Sequence, residues 1–457
     1  MSNADTIKRW SRREFIKAGG MTVAGAALSG CAKNPVTGEN QLMLVSEQQE
    51  IAMDRQASPQ QLSTDYGVVR SMDLDDYVGK VGKSLSDTSH RPHMPFNYNV
   101  VNANYVNAYA FPGGTIACTR GIMLEVDNEA ELAALLGHEI GHVNARHTAS
   151  RMSSQILISG AAGLGGALIG AKYGNTWGAV AGGLGGIGVG LLLASYSRDD
   201  ERQADALGMQ YMTNADYNPD GMIGLMEMLN EQHDREPSAL EVMFSTHPMS
   251  SERLATARQR ANTKYLGAKQ YAFYRERYMD NTAKLRAIGP AIKDMQKAEK
   301  LGGKKQYDEA ETTMRTALLQ VPDDYAGLLI MSKLLAAQKK YDEALAYAEH
   351  AHQVYPEEAQ ASAMTGLLAL NAKKYSRAYD GFQAYDKALP GNPMVGFYKG
   401  YSQEKMGNRK EAAQEYYKYL QKVREGDAAN HAYSRLVQWG YLRGEVTPGT
   451  SEFEIMA

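Results

Sequence analysis

The spacing of apolar and polar residues predicts both helices and a short region of strands. Between residues 128 and 142 good helix formers predominate, and Leu132, Leu135 and Leu136 fall on one apolar stripe, which predicts a helix. Residues 96–124 carry shorter, strand-forming runs that are interrupted by a Pro-Gly-Gly sequence. Because proline cannot donate to a central ladder, this break predicts a turn or a bulged edge strand.

The C-terminal third of the chain repeats with a period of 34 residues. A Tyr-Asp-Glu-Ala motif and its weaker copies recur at 307–310, 341–344, 375–378 and 409–412, and prolines 322, 356 and 390 follow the same period. A helix-turn-helix unit of this length, with a proline after its second helix, is the tetratricopeptide repeat. We therefore predict four units from about residue 290 to 426 and a closing helix through 441.

Size, charge and cysteine content narrow the possible functions. A chain of 457 residues is long enough for two or three domains. The 49 basic and 52 acidic residues give a net charge of -3, and no basic block is large enough to follow a phosphate backbone, which argues against nucleic acid as a partner. With only two cysteines, Cys31 and Cys118, any catalytic metal must be held by histidine and carboxylate.

The first thirty residues have the pattern of an export signal. Two arginines at 12 and 13 precede a mild apolar run over 18–28, as in a twin-arginine signal. The run is too short to span a membrane, which takes roughly 20 residues. It ends in Leu-Ser-Gly-Cys, which resembles a lipoprotein acylation box, so we expect Cys31 to carry lipid, plain secretion being the alternative. The next residue is Ala32, whereas an aspartate at this position commonly retains a lipoprotein at the inner membrane. We therefore expect a periplasmic protein anchored in the inner leaflet of the outer membrane.

The sequence His-Glu-Ile-Gly-His at 138–142 is the candidate catalytic motif. On a helix, residues four apart share a face, so His138 and His142 can bind one zinc ion with Glu139 as the general base. A chance occurrence of this pattern is the alternative. Zinc also needs a third protein ligand, and we predict Glu201. Asp205, four residues further on, is predicted to accept the remaining N–H of a ligating imidazole, although both acids could instead belong to a solvated helix face.

A glycine-rich stretch at 156–194 separates the two parts of this site. Glycine recurs at every fourth position from 166 to 190 among apolar residues. We interpret the stretch as a helical hairpin or a mobile apolar loop that caps the site, and a membrane-inserted helix pair is the alternative.

The motifs together resemble the zinc peptidase family that contains the CAAX prenyl proteases and the HtpX heat-shock membrane protease. Within it the chain looks like the periplasmic lipoprotein branch with C-terminal tetratricopeptide repeats. The matching segments are 107–114, 119–121, 138–142, 197–205 and 245–248. The resemblance implies one zinc ion per chain held by His138, His142 and Glu201, with Glu139 as the base.

Two further groups of residues are candidates for substrate contact. His247 is our candidate donor to the oxyanion of the reaction, and Arg253 is a second. His247 could instead be a structural imidazole beside Pro248, or a ligand that occupies the open zinc position and keeps the enzyme latent. The edge-strand residues are predicted to pair with an extended substrate, an ordinary hairpin being the alternative; they are Ala110, Phe111, Gly113 and Gly114.

The expected fold is mainly α-helical with a small β-sheet: an HExxH zinc metallopeptidase domain followed by an α-solenoid of tetratricopeptide repeats. The predicted divisions are an export signal (1–30), a tether (31–45), the peptidase domain (46–265), a connecting helix (266–289), the repeats (290–442) and a polar tail (443–457). The expected function is a periplasmic zinc endopeptidase that acts on unfolded or misassembled outer-membrane proteins. Its repeats would recruit substrate or envelope assembly machinery. The alternatives are a latent protease that acts as a chaperone or scaffold, and a hydrolase of cell-wall amides.

Overall fold

The computed structural model describes residues 31–161, 195–235 and 241–442. The predicted export signal, most of the glycine-rich stretch and the predicted polar tail lie outside the described residues. Among the helices that are described, none combines the length and apolar character needed to cross a bilayer.

A three-stranded sheet stands beside the catalytic motif. Its strands are β3 (Asn97–Val101), β4 (Ala108–Ala110) and β5 (Thr115–Thr119), in the order β3-β5-β4, so that β4 lies at one edge. Strand β5 runs parallel to β3 and antiparallel to β4. The predicted turn at Pro-Gly-Gly connects β4 to β5, and Gly114 in it has a φ of 111°, which favours glycine.

The segment predicted as a tether has regular structure. Strands β1 (Cys31–Lys33) and β2 (Asn40–Leu42) form an antiparallel ribbon. Met43 and Val45, which follow the ribbon, are buried in a small apolar cluster with Ala149. Burial of these apolar side chains fixes this segment on the body of the protein.

Helices make up most of the N-terminal part of the molecule. They are α1 (Glu47–Thr64), α2 (Met72–Ser86), α3 (Arg120–Glu125), α4 (Glu129–Ala145), α5 (His147–Ala161), α6 (Arg198–Asn214), α7 (Asp220–Arg235), α8 (Glu241–Thr246), α9 (Ser251–Asn262), a 3-10 turn (Leu266–Gln270) and α10 (Arg275–Ala287). Side chains cap the key helices: Asn128 accepts from the Glu131 amide at the start of α4, and Ser197 forms a capping box with Asp200 at the start of α6.

Helix α4 carries the catalytic motif and is buried along its whole length. It crosses α6 at unusually short range because small residues meet there. A Cβ atom on Gly208 would lie 2.8 Å from the amide nitrogen of His138, and one on Gly137 would lie 3.0 Å from the carbonyl oxygen of Gly208. Glycine at these positions therefore lets the two ligand-bearing helices approach each other.

The C-terminal part consists of helical hairpins that stack in sequence. Its helices are α11 (Gly289–Gly303), α12 (Tyr307–Gln320), α13 (Tyr325–Ala337), α14 (Tyr341–Val354), α15 (Ala359–Asn371), α16 (Tyr375–Ala388), α17 (Pro393–Lys405), α18 (Arg409–Leu420) and α19 (Asp427–Gln438). A residue with positive φ recurs within the hairpin turns every 34 residues, at Lys305, Lys339, Lys373 and Gly407. The predicted fold class is thereby confirmed.

The repeats pack directly against the N-terminal part. Arg120 Nη1 lies 2.6 Å from Asp324 Oδ2, and both side chains are buried. Lys333 Nζ of α13 donates to the Tyr66 hydroxyl across the same interface at 3.1 Å. Two buried polar contacts thus connect the two parts.

Candidate metal centre

The two histidines of the motif, His138 and His142, have ring nitrogen atoms that lie close together. Nε2 of His138 and Nε2 of His142 lie 3.0 Å apart on the same face of α4. Glu201 approaches from α6, with Oε2 3.5 Å from His138 Nε2 and Oε1 3.3 Å from His142 Nε2. The structure therefore brings the three predicted ligands together.

His247 completes the cluster from the segment after α8. Its Nδ1 atom lies 3.4 Å from His138 Nε2 and 3.1 Å from Glu201 Oε1. One ligand atom from each of His138, His142, Glu201 and His247 lies within 4.8 Å of all the others, and the four side chains are buried.

These distances fit a tetrahedral metal ion. Ligand bonds of about 2.0–2.1 Å give tetrahedron edges of about 3.3 Å, and the contacts above span 3.0 to 3.5 Å. The protonation pattern agrees. His138 Nδ1 lies 3.0 Å from Asp205 Oδ1, and the neutral tautomer that donates to this carboxylate has its lone pair on Nε2. The Nε2 atoms of His138 and His142 and the carboxylate of Glu201 are therefore arranged to bind one cation.

Asp205 and Arg253 form a buried support beneath the ligands. Arg253 Nε and Nη2 each donate to an oxygen of Asp205 at 2.7 Å, and Nη1 lies 2.6 Å from Glu201 Oε2. Nη1 also donates to the carbonyl oxygen of Pro248 at 2.9 Å. Despite the cost of burial, the Arg253 guanidinium holds the pKa of Asp205 below its ordinary value. In this arrangement Arg253 is directed at two carboxylates, which suits a role in orienting them.

Glu139 points into the same buried space and accepts no hydrogen bond from the described residues. Neither carboxylate oxygen has a hydrogen-bond partner within the described part of the chain, and Oε1 lies 3.7 Å from His247 Nε2. Burial raises the pKa of Glu139, partly offset by His247 and His138. A buried carboxylate without hydrogen bonds is costly, which is typical of a group held ready for a reaction.

Burial and charge affect the imidazoles differently. Burial lowers the pKa of His142 well below its ordinary value, which keeps it neutral and able to ligate. Burial also opposes the charged form of His247, but the carboxylates of Glu201 and Glu139 outweigh it and raise the pKa of His247.

Two residues beside the ligands were not identified from the sequence. Tyr196 stacks on His142 with ring centroids 3.7 Å apart, and His147 Nδ1 lies 2.8 Å from His142 Nδ1. His147 lies five residues after His142, so it falls outside the helical spacing that marks the motif. Tyr196 follows the glycine-rich stretch and has no motif of its own.

The predicted substrate strand lies only partly beside the cluster. Ala110 and Phe111 border a small gap that His142 and Tyr196 also line. Gly113 and Gly114 lie at the turn instead: a Cβ atom on Gly113 would contact Asp54, and one on Gly114 would contact Phe96. Cys31, the predicted lipid attachment site, begins β1.

A helix that carries two histidines and a glutamate, joined by a carboxylate from a second helix, defines a metallohydrolase of the HExxH class. The family model that matches the chain agrees: residues 73–261 match peptidase family M48. The chain belongs to peptidase family M48.

Curated relatives carry names consistent with this family. The chain is 28% identical over 317 residues to the beta-barrel assembly-enhancing protease of Yersinia pestis, which covers 61% of each chain. It is 31% identical over 193 residues to the protein of that name from Escherichia coli (strain K12), covering 41% of this chain and 39% of the relative. It is 30% identical over 183 residues to metalloprotease YcaL of the same strain, covering 40% of this chain and 68% of the relative. The chain thus spans less than two thirds of the two assembly-enhancing proteases.

Proposed function

We propose that the protein is a zinc-dependent endopeptidase in which His138, His142 and Glu201 hold the ion. The proposal is supported by the donor atoms 3.0–3.5 Å apart and by membership of peptidase family M48. Zinc bound there would supply Lewis acidity and make water a stronger acid. Asp205 orients His138, and Arg253 orients both Asp205 and Glu201.

Glu139 is the proposed general base. Its buried carboxylate accepts a proton from the water that attacks the scissile carbonyl, and it returns this proton to the departing amine nitrogen. The absence of hydrogen-bond partners within the described residues leaves both oxygens available for these transfers.

His247 is proposed to keep the site closed. A catalytic zinc site has three protein ligands and one open position. If His138, His142 and Glu201 hold the ion, His247 Nδ1, which lies 3.1 Å from Glu201 Oε1, would be available as a fourth ligand. Activity then requires the ring to move out. The roles of His247 as the donor to the oxyanion and of Arg253 as a second donor stay predictions from the sequence.

The proposed substrates are unfolded or misassembled outer-membrane proteins. Three features support this class: the names of the two related assembly-enhancing proteases, the export signal and acylation box predicted from the sequence, and the repeats. An extended chain would pair with the edge strand β4 at Ala110 and with Phe111, which follows the strand. Lipid on Cys31 would anchor the protein in the inner leaflet of the outer membrane, and the repeats would recruit substrate or envelope assembly machinery.

A second candidate function is a latent protease that works mainly as a repeat-based chaperone or scaffold. The closed position of His247 favours it, because in this arrangement the fourth position is filled and Glu139 is buried.

A digestion assay separates these functions. Purified full-length protein is incubated with an unfolded outer-membrane β-barrel protein, with casein and with cell-wall fragments, each with and without a chelator. Chelator-sensitive cleavage of the protein substrates supports the endopeptidase. Release of cell-wall fragments alone would contradict it, and binding that prevents aggregation without cleavage would favour the scaffold.

A further inference from the structure

His147 is a buried imidazole whose contacts have no part in the proposed reaction so far. It is the first residue of α5 and is 5% exposed. Arg146, the residue that caps the C-terminus of α4, adopts the left-handed conformation with a φ of 60°. This turn folds the chain back and places His147 beside the ligand ring of His142, with 2.8 Å between their Nδ1 atoms.

The contact between the two rings requires one proton. Two imidazole nitrogens at this distance must share a hydrogen, so one Nδ1 donates and the other accepts. If His142 ligates through Nε2, then its Nδ1 must carry the hydrogen. His147 Nδ1 is therefore the acceptor, and its own hydrogen is on Nε2.

The surroundings of His147 Nε2 agree with this tautomer. Nε2 donates to Gln203 Oε1 at 2.9 Å, and Asp200 Oδ1 lies 3.5 Å from the same nitrogen. Both acceptors belong to α6, the helix that also supplies Glu201. His147 thus connects α6 to the imidazole ring of His142 through hydrogen bonds.

We infer that His147 is a positioning residue that fixes the tautomer and orientation of His142 for metal binding. This inference rests on the proposed zinc site. It implies that the two ligand histidines are supported differently: Asp205, an anion, accepts from His138, whereas a neutral imidazole accepts from His142. Groups in such positions change metal affinity without touching substrate.

The test is the zinc affinity of the full-length protein, measured by competition with a chromophoric chelator. His147→Phe removes the acceptor and keeps a ring, whereas His147→Asn keeps an acceptor near the position of Nδ1. We expect the Phe variant to bind zinc about 10–100-fold more weakly and the Asn variant to recover most of the loss. His90→Phe is the matched control, because His90 bonds the Tyr211 hydroxyl away from the ligands and should leave affinity unchanged.

Thermal unfolding of the metal-free proteins separates affinity from folding. Wild-type affinity in a folded Phe variant, or equal weakening by Phe and Asn, would overturn the inference. If the Phe variant does not fold, a Gln203→Leu/Asp200→Ala double variant takes its place, since it removes both acceptors that face His147 Nε2. Unchanged affinity in that variant would overturn the inference. Failure of the wild-type protein to bind zinc at all would instead refute the proposed function.

Discussion

His247 and Glu201 meet inside the ligand cluster, with Nδ1 of the imidazole 3.1 Å from Oε1 of the carboxylate. The other nitrogen of the same ring lies 3.7 Å from Glu139 Oε1. One side chain therefore lies against both a proposed ligand and the proposed base. Removal of the His247 side chain should leave the fourth ligand position of the metal vacant. It should also remove the contact with the Glu139 carboxylate.

We expect His247→Ala to raise the rate of protein cleavage. If the open arrangement accounts for about 10% or less of the molecules, the gain is roughly tenfold or more. The rate is measured with a fluorescent casein, and a Glu139→Gln/His247→Ala double variant controls for contaminating proteases. A loss of roughly a hundredfold would contradict the closed arrangement and favour the oxyanion role predicted from the sequence.

Glu139→Gln should abolish cleavage while keeping the fold and the metal. The substitution preserves shape but removes the proton acceptor, so we expect a loss of about 10²–10⁴-fold. Glu131→Gln is the matched control: it lies in the first turn of the same helix, where its carboxylate accepts from the Asp127 amide, and it should leave the rate unchanged. Undiminished cleavage by the folded Glu139 variant would exclude Glu139 as the base.

Those elements of the structure that have a periodic sequence pattern could be predicted from the sequence. Helix α4 and the repeats follow from periodicity, since apolar spacing and a fixed 34-residue interval are local properties. The pairing of Glu201 with the histidines was suggested by a motif. Its physical cause is the close crossing at Gly137 and Gly208, which depends on tertiary packing.

Other features depend on the tertiary course of the backbone, and the local sequence does not indicate them. His147 reaches His142 only because Arg146 adopts a left-handed conformation. Residues 31–45 look like a tether by composition, yet burial of Met43 and Val45 gives the segment a fixed position. Gly113 and Gly114 adjoin the edge strand in sequence, but the turn directs them towards α1 and Phe96.

Arg120→Met should weaken the attachment of the repeats. The substitution leaves the buried carboxylate of Asp324 without its partner, which typically costs about 3–5 kcal/mol. Urea unfolding of the metal-free chain measures the change in unfolding free energy. Asp73→Ala is the control, because its ion pair with Lys284 is exposed and should contribute nothing measurable. Equal effects of the two substitutions would contradict the importance of the buried pair.

Lys333 should make stability depend on pH in the alkaline range. Burial lowers the pKa of this lysine to about 8, although Glu299, Glu358 and Asp65 act in the opposite direction. Between pH 8 and the ordinary lysine pKa of about 10.4 the unfolded chain binds the extra proton, so this group makes stability rise with pH. Comparison of urea unfolding for wild type and Lys333→Met should show that rise in the wild type only. If the unfolding free energies of the wild type and of Lys333→Met changed in the same way with pH, the lowered pKa of Lys333 would be contradicted.

The zinc content of the purified full-length protein tests the account most directly. Elemental analysis after exposure to excess zinc and removal of free metal should give one zinc ion per chain in the wild type and in Glu139→Gln. It should give far less in Glu201→Gln and in a His138→Ala/His142→Ala double variant. Chelation should abolish casein cleavage by the wild type, and zinc should restore it. A folded wild-type chain that holds no zinc, or full occupancy without Glu201, would contradict the proposed metal centre.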